Sequence, residues 1–269
     1  MKKRIVYCCL LSILFSSVSF AQTDLETERK VVLKDALHRN FKIPQCGNSS
    51  FKSCLNQNDA CPIALYLDRF LDWLLIKQSD YEKLYEQLSK RYESFTSTDV
   101  FIIDTTVVKW VGEETAPVKL EIYFSASCSH CRYILSELYQ AVFDGELKGK
   151  ARMTEIPFGA NISNMAAMVA NRYDKFWDLI FELNKTKVRI DTTNVYEILQ
   201  SVGLSREQID NGVADSLLKT KLLYCKEQAV ANDVSVVPTI FINNHRYSSY
   251  KDPEWIIDAV KYEYEFGSR

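Results

Sequence analysis

The stretch Val118-Lys119-Leu120-Glu121-Ile122-Tyr123-Phe124-Ser125-Ala126-Ser127-Cys128-Ser129-His130-Cys131 is the most informative in the chain. Residues 118–124 are apolar, β-branched or aromatic enough to predict a buried strand. Beyond Cys131, the residues Tyr133, Ile134, Leu135, Leu138, Tyr139, Val142 and Phe143 recur at helical spacing. A strand therefore feeds a helix, and a Cys-x-x-Cys pair falls on the first turn of that helix.

That position has chemical consequences. The first N–H groups of a helix lack intrahelical acceptors, and the macrodipole adds partial positive charge there. A sulfur at Cys128 receives those donors, which favours its thiolate and makes it a nucleophile. Cys131, one turn in, is placed to attack a mixed disulfide formed at Cys128 and release the product. His130, between them, adds positive charge beside the sulfur. Stabilising the reduced form in this way makes the disulfide a stronger oxidant. A zinc site is the competing reading, but it requires a second paired-ligand element. His38 and His245 stand alone, and Cys46, Cys54 and Cys61 are too widely spaced. No metal and no cofactor are expected.

Outward from this centre, the chain begins Met1-Lys2-Lys3-Arg4, runs apolar to about Phe20, and reaches Ser19-Phe20-Ala21. A basic start, an apolar middle and small residues before the break predict a signal peptide over residues 1–21, and hence a periplasmic or otherwise exported protein. Losing Lys2, Lys3 and Arg4 with it moves the formal charge from −2 to −5 and leaves six of the eight cysteines. A mildly acidic exported chain gives no electrostatic case for nucleic-acid binding. Cysteines outside the cytoplasm are expected to form disulfides.

Residues 22–98 read as an N-terminal helical segment carrying Cys46, Cys54 and Cys61. Pro62 suits a helix start, with Ile63, Leu67, Phe70, Leu71, Leu74 and Leu75 on one stripe. Ser79 to Glu82 has capping-box spacing, and Tyr81, Leu84, Tyr85, Leu88 and Tyr92 mark the partner helix of a hairpin. Ser94 to Asp99 reads as a linker, and Val100 to Val111 as β-rich. Residues 99–269 then give the strand and Cys-x-x-Cys helix, a short strand over 152–156, and a helical stretch over about 160–232. That stretch has pieces at 165–170, 176–183 and 195–202, a capped turn at Ser205, and a long helix lined by Val213, Leu217, Leu218, Leu222, Cys225 and Ala229. A β-rich run around Pro238, an Asn243-Asn244 turn and a closing helix from Pro253 complete the order. His245 beside the turn reads as a surface residue. The aromatic residues Tyr133, Tyr139, Phe176, Trp177 and Trp255 read as core.

This order is that of an α/β chain with a thioredoxin-like fold, an inserted helical domain and a preceding helical hairpin. The specific pieces are Cys128-Ser129-His130-Cys131, Ile156-Pro157-Phe158 before an Ala-rich helix, Lys175-Phe176-Trp177-Asp178, and Val236-Val237-Pro238-Thr239-Ile240-Phe241-Ile242-Asn243. In these the chain resembles the DsbA-like family of exported thiol–disulfide oxidoreductases. The resemblance implies that Pro238 is cis and faces the cysteine pair. Val237 would then offer backbone groups to an extended peptide substrate. Two departures stand out: the dipeptide is Ser-His rather than the Pro-His common in strong oxidases, and the family's acidic residue six places before the first cysteine is Ile122 here. Glu121, next to it, points to the other face of the strand and is assigned no catalytic role. The N-terminal hairpin resembles the small helical domain of the cytochrome c maturation family CcmH in Cys61-Pro62, Lys77-Gln78-Ser79-Asp80 and Arg91-Tyr92, but lacks that family's Cys-x-x-Cys.

With Cys128 and Cys131 paired, Cys46, Cys54, Cys61 and Cys225 remain as structural disulfide candidates with three possible connectivities. If all four are oxidised, Cys225 must bond one of the other three. The expected activity is thiol–disulfide exchange with protein thiols, as a disulfide donor recycled by a membrane redox partner. The alternatives are a reductase serving cytochrome c maturation and a non-catalytic chaperone or adaptor built on the same fold.

Overall fold

The computed structural model describes residues 25–47, 49–57 and 61–267, so the expected signal peptide lies outside the described residues. The chain divides into two compact units, residues 1–92 and residues 93–269.

In the first unit, helix α1 covers residues 25–40. Strands β1 (Lys42–Ile43) and β2 (Ser49–Ser50) pair antiparallel, and the short helix α2 (Phe51–Leu55) follows. Helices α3 (Pro62–Lys77) and α4 (Tyr81–Thr96) form the predicted hairpin. Pro62 opens α3, and the apolar stripe from Ile63 to Leu75 is buried. The cap of α4 lies one residue later than expected: the Asp80 carboxylate, not Ser79, accepts from the Lys83 N–H at 3.0 Å. Cys46 and Cys61 are disulfide-bonded. Cys54 is a free, buried thiol.

In the second unit a five-stranded sheet runs in the order β3-β5-β4-β6-β7. Its strands are β3 (Trp110–Val111), β4 (Val118–Phe124), β5 (Ala151–Pro157), β6 (Thr239–Ile242) and β7 (His245–Arg246). The central strand β4 is parallel to β5 and antiparallel to β6. Asn243 and Asn244, both at positive φ, form the two-residue turn between β6 and β7. Side chains alternate across the sheet, so register decides which face each residue joins. Leu120, Ile122, Glu155 and Ile240 share the face packed by α5 (Ser129–Phe143) and α11 (Pro253–Phe266). Tyr123, Ile156 and Phe241 share the other face with Cys225 and Ala229 of α10 (Ser216–Ala231). Between β5 and α10 lie α6 (Ile162–Arg172), α7 (Phe176–Thr186), α8 (Val195–Ser201) and α9 (Arg206–Ala214). These are the predicted insertion, and α9 carries the Ser205–Gln208 capping box read from the sequence.

Several expectations are corrected. Residues 94–96 are the last turn of α4 rather than linker, with Phe95 buried against Tyr262. Of the β-rich run 100–111 only Trp110–Val111 is strand. Phe101, Ile103, Val107 and Val108 instead lay their side chains on the Tyr123–Phe241 cluster. Their backbone is held by side chains: Asn232 donates to the Ile102 carbonyl at 2.9 Å and Gln228 to the Asp104 carbonyl at 2.8 Å. The run around Pro238 likewise becomes strand only from Thr239. His245 is buried, its Nδ1–H donating to the Asp99 carbonyl at 2.9 Å, which satisfies the ring away from water. Cys225 forms no bridge and is a thiol inside the apolar cluster, where burial pushes its pKa up to about 11. Leu217 and Tyr133 are exposed, whereas Phe176 and Trp255 are core as expected.

Candidate active site

Strand β4 ends at Phe124, whose carbonyl accepts from the Phe158 N–H at 2.7 Å. The turn over residues 125–127 then delivers Cys128 to the start of α5. The Cys128 N–H donates to the Ser125 carbonyl at 2.9 Å, and extended backbone geometry makes Cys128 the N-cap of the helix. Its sulfur accepts from the Cys131 N–H at 3.2 Å, which is the helix-end donation expected from the sequence. Both sulfurs are free thiols in this structure, with Cys128 partly exposed and Cys131 buried. Burial, followed by the hydrogen bond with Cys128, pushes the Cys131 thiol well above the ordinary thiol range. Lys251 acts in the opposite sense on Cys131. The two cysteines are thus unlike: one meets solvent and a helix N–H, and the other is buried and held towards its protonated form.

His130 is exposed, and its Nε2–H donates to the Lys251 carbonyl at 2.9 Å. A carbonyl only accepts, so Nε2 is the ring nitrogen that carries the proton in this contact. Pro238 is buried and Val237 partly exposed, and the bond between them is cis. The last register pair of β4 with β6 is Tyr123 with Thr239. Pro238 therefore sits one step further, level with Phe124, at the end of the sheet from which α5 departs.

Two residues not singled out in the sequence hold this corner. Asn164, fully buried on α6, accepts from the Ala126 N–H at 2.9 Å through Oδ1. Its Nδ2 donates to the carbonyls of Phe158 and Gly159, each at 2.8 Å. Arg132, on α5, is also buried and donates to the Ala126 carbonyl at 2.8 Å. The Ala126 peptide groups are thus gripped on both sides, and the turn before Cys128 is tied to the turn after β5. Glu121 faces the Tyr123 side of the sheet, away from α5, as the sequence register implied; burial raises its pKa to about 7. Glu155, the register partner of Ile122, is a second buried carboxyl, raised by burial to about 8.

Residues 104–261, more than half of the chain, match the family model described as Thioredoxin. A search of curated proteins finds no match. Among solved structures, BdbD from Bacillus subtilis is similar at 15% identity and a TM-score of 0.51, over 62% of this chain and 97% of that one. A thioredoxin-like oxidoreductase from Silicibacter pomeroyi DSS-3 gives 18% identity and a TM-score of 0.50, over 58% and 91%. Alpha-DsbA1 from Wolbachia pipientis gives 17% identity and a TM-score of 0.50, over 61% and 94%. At such identities these three bear on the fold, while the family match rests on the sequence itself. The chain therefore belongs to the thioredoxin family, and shares with these structures a thioredoxin-like fold carrying a helical insertion.

Proposed function

We propose that this protein is exported through residues 1–21 and donates the Cys128–Cys131 disulfide to protein thiols. A client thiolate attacks the Cys128 sulfur, breaking the intramolecular S–S bond and forming a mixed disulfide. Cys131 leaves as a thiolate and takes a proton. A second client thiolate then attacks the client sulfur, closing the client disulfide and releasing Cys128 as a thiolate. Two electrons pass from client to enzyme, and a membrane partner removes them to regenerate the disulfide.

The observation that carries this reading is the asymmetry of the pair: the Cys128 sulfur accepts a helix-terminal N–H while Cys131 is buried. Stabilising Cys128 as the leaving thiolate favours the dithiol, and a couple that favours its dithiol oxidises others. Val237 and Pro238 are assigned to orienting an extended client segment, and His130 to favouring the Cys128 thiolate. Val236, immediately before Val237, is 61% exposed and offers apolar surface for an unfolded chain. Oxidative refolding of reduced, denatured ribonuclease tests the direction. A donor restores its activity from the oxidised enzyme, whereas a reductase instead accelerates insulin reduction by dithiothreitol and leaves ribonuclease unchanged.

A further inference from the structure

Arg132 follows the second cysteine directly and is only 3% exposed. A guanidinium does not deprotonate in a protein, so this side chain brings a permanent charge out of water. Removing such a charge from water costs several kcal/mol unless an opposite charge or a full set of acceptors offsets it. Among the described residues Arg132 has one side-chain hydrogen bond, to the Ala126 carbonyl, and its buried Nε has no partner. No carboxylate among the described residues pairs with it. Burial works against its charged form, while among the described residues the sulfurs of Cys128 and Cys131 act in favour of it.

We propose that Arg132 is the buried counter-charge of the redox pair, a positioning residue that stabilises the Cys128 thiolate whenever the disulfide is reduced. In the disulfide form neither sulfur carries charge, and the guanidinium has only the Ala126 carbonyl. When a client dithiol gives up two electrons, the S–S bond breaks, one client proton settles on Cys131 and the other goes to solvent. The negative charge left on Cys128 then meets a cation that was waiting for it. Interaction present in only one of two states shifts their equilibrium by its own free energy. Arg132 thus pulls the couple towards the dithiol and strengthens the disulfide as an oxidant. Lys251 bears on Cys131 from the loop before α11, and His130 is tied to the Lys251 carbonyl. The buried charge of Arg132 acts beside these more accessible groups. The inference rests on exchange through Cys128 but not on its direction.

Two substitutions in the full chain separate charge from clamp. Arg132→Gln keeps an N–H donor for Ala126 and loses the charge, while Arg132→Lys keeps the charge and loses the planar fork. Each variant is read by the pH midpoint of Cys128 alkylation and by equilibrium with glutathione. For Arg132→Gln the alkylation midpoint is expected to rise by about one pH unit, the lower end for removal of a nearby opposite charge. Its dithiol–disulfide equilibrium is expected to shift about tenfold towards the disulfide, which is about 30 mV. Arg132→Lys is expected to stay near the wild type on both readouts. Equal values for wild type and Arg132→Gln, or equal shifts for both variants, overturn the proposal. The unmodified protein supplies an independent test, because the guanidinium 15N resonances of Arg132 should titrate with Cys128 in the dithiol form and stay flat in the disulfide form. Flat resonances in both forms also overturn it. The wild-type potential bears on the donor reading, and the difference between variants bears on Arg132, so the two can fail separately.

Discussion

The N–H of Cys131 points at the sulfur of Cys128, 3.2 Å away, while the sulfur of Cys131 is itself shut off from solvent. In the proposed exchange, entry and release are thereby divided between the two residues. With Cys131→Ser, a client joined to Cys128 should accumulate as a mixed disulfide, visible on a non-reducing gel and lost with dithiothreitol. With Cys128→Ser no adduct should form and ribonuclease refolding should fall to the uncatalysed rate. Adducts in the Cys128→Ser protein would reassign the attacking sulfur.

Asn164 satisfies three backbone groups around the active-site corner from one buried side chain. Asn164→Ala leaves these groups without their protein partner, and an unsatisfied buried group costs about 1–3 kcal/mol. Partial relaxation makes a loss of roughly 2–4 kcal/mol the expected outcome by urea denaturation. Asn164→Asp should be worse above pH 5, because a carboxylate cannot donate to the Phe158 and Gly159 carbonyls. A loss below about 0.5 kcal/mol, the range of an ordinary surface substitution, would show that the corner does not depend on this residue.

The buried carboxyls give stability a pH dependence of definite sign. Burial raises Glu155 from 4.5 to about 8 and Glu121 from 4.5 to about 7. The folded protein therefore holds protons that the unfolded chain releases, and the stability associated with them is fully present below about 4.5. It is lost as pH rises through the folded-state values, at up to about 1.4 kcal/mol per pH unit for each group. Glu155→Gln should gain on the wild type steadily between pH 5 and pH 8 in denaturation midpoints. A constant difference across that range would contradict the buried carboxyl.

Gly112 sits at φ +99°, and an added Cβ would lie 2.8 Å from Val142 Cγ1 and 3.0 Å from the Ala151 carbonyl oxygen. Gly112→Ala therefore combines an unfavourable backbone region with overpacking between α5 and β5. A destabilisation of about 2–4 kcal/mol is expected. Thermal unfolding of the variant checks it, and an unchanged midpoint would show that the loop simply refolds around the methyl group.

Much of this architecture was legible in the residues. The change from the apolar, β-branched and aromatic residues of 118–124, interrupted by Lys119 and Glu121, to helical spacing after Cys131 located β4, α5 and the cysteine pair. The Asn-Asn turn and the Ser205 cap likewise carry their local chemistry in the sequence. Arg132 and Asn164 were not legible, because a polar residue inside a helix normally faces water and only the crossing of chain segments reveals its backbone partners. Residues 100–109 read as β because composition registers apolar content, yet they satisfy their backbone through Asn232, Gln228 and Asn244 rather than a ladder. Cys225 was expected to be bridged on parity alone, and spacing contains no information on whether two sulfurs meet.

The most direct measurement is the reduction potential of the Cys128–Cys131 couple in the full chain, from equilibrium with glutathione read by the masses of the two forms. A disulfide donor requires a value towards the strongly oxidising end, near about −120 mV. A value near about −270 mV, typical of a reducing thioredoxin, would contradict it.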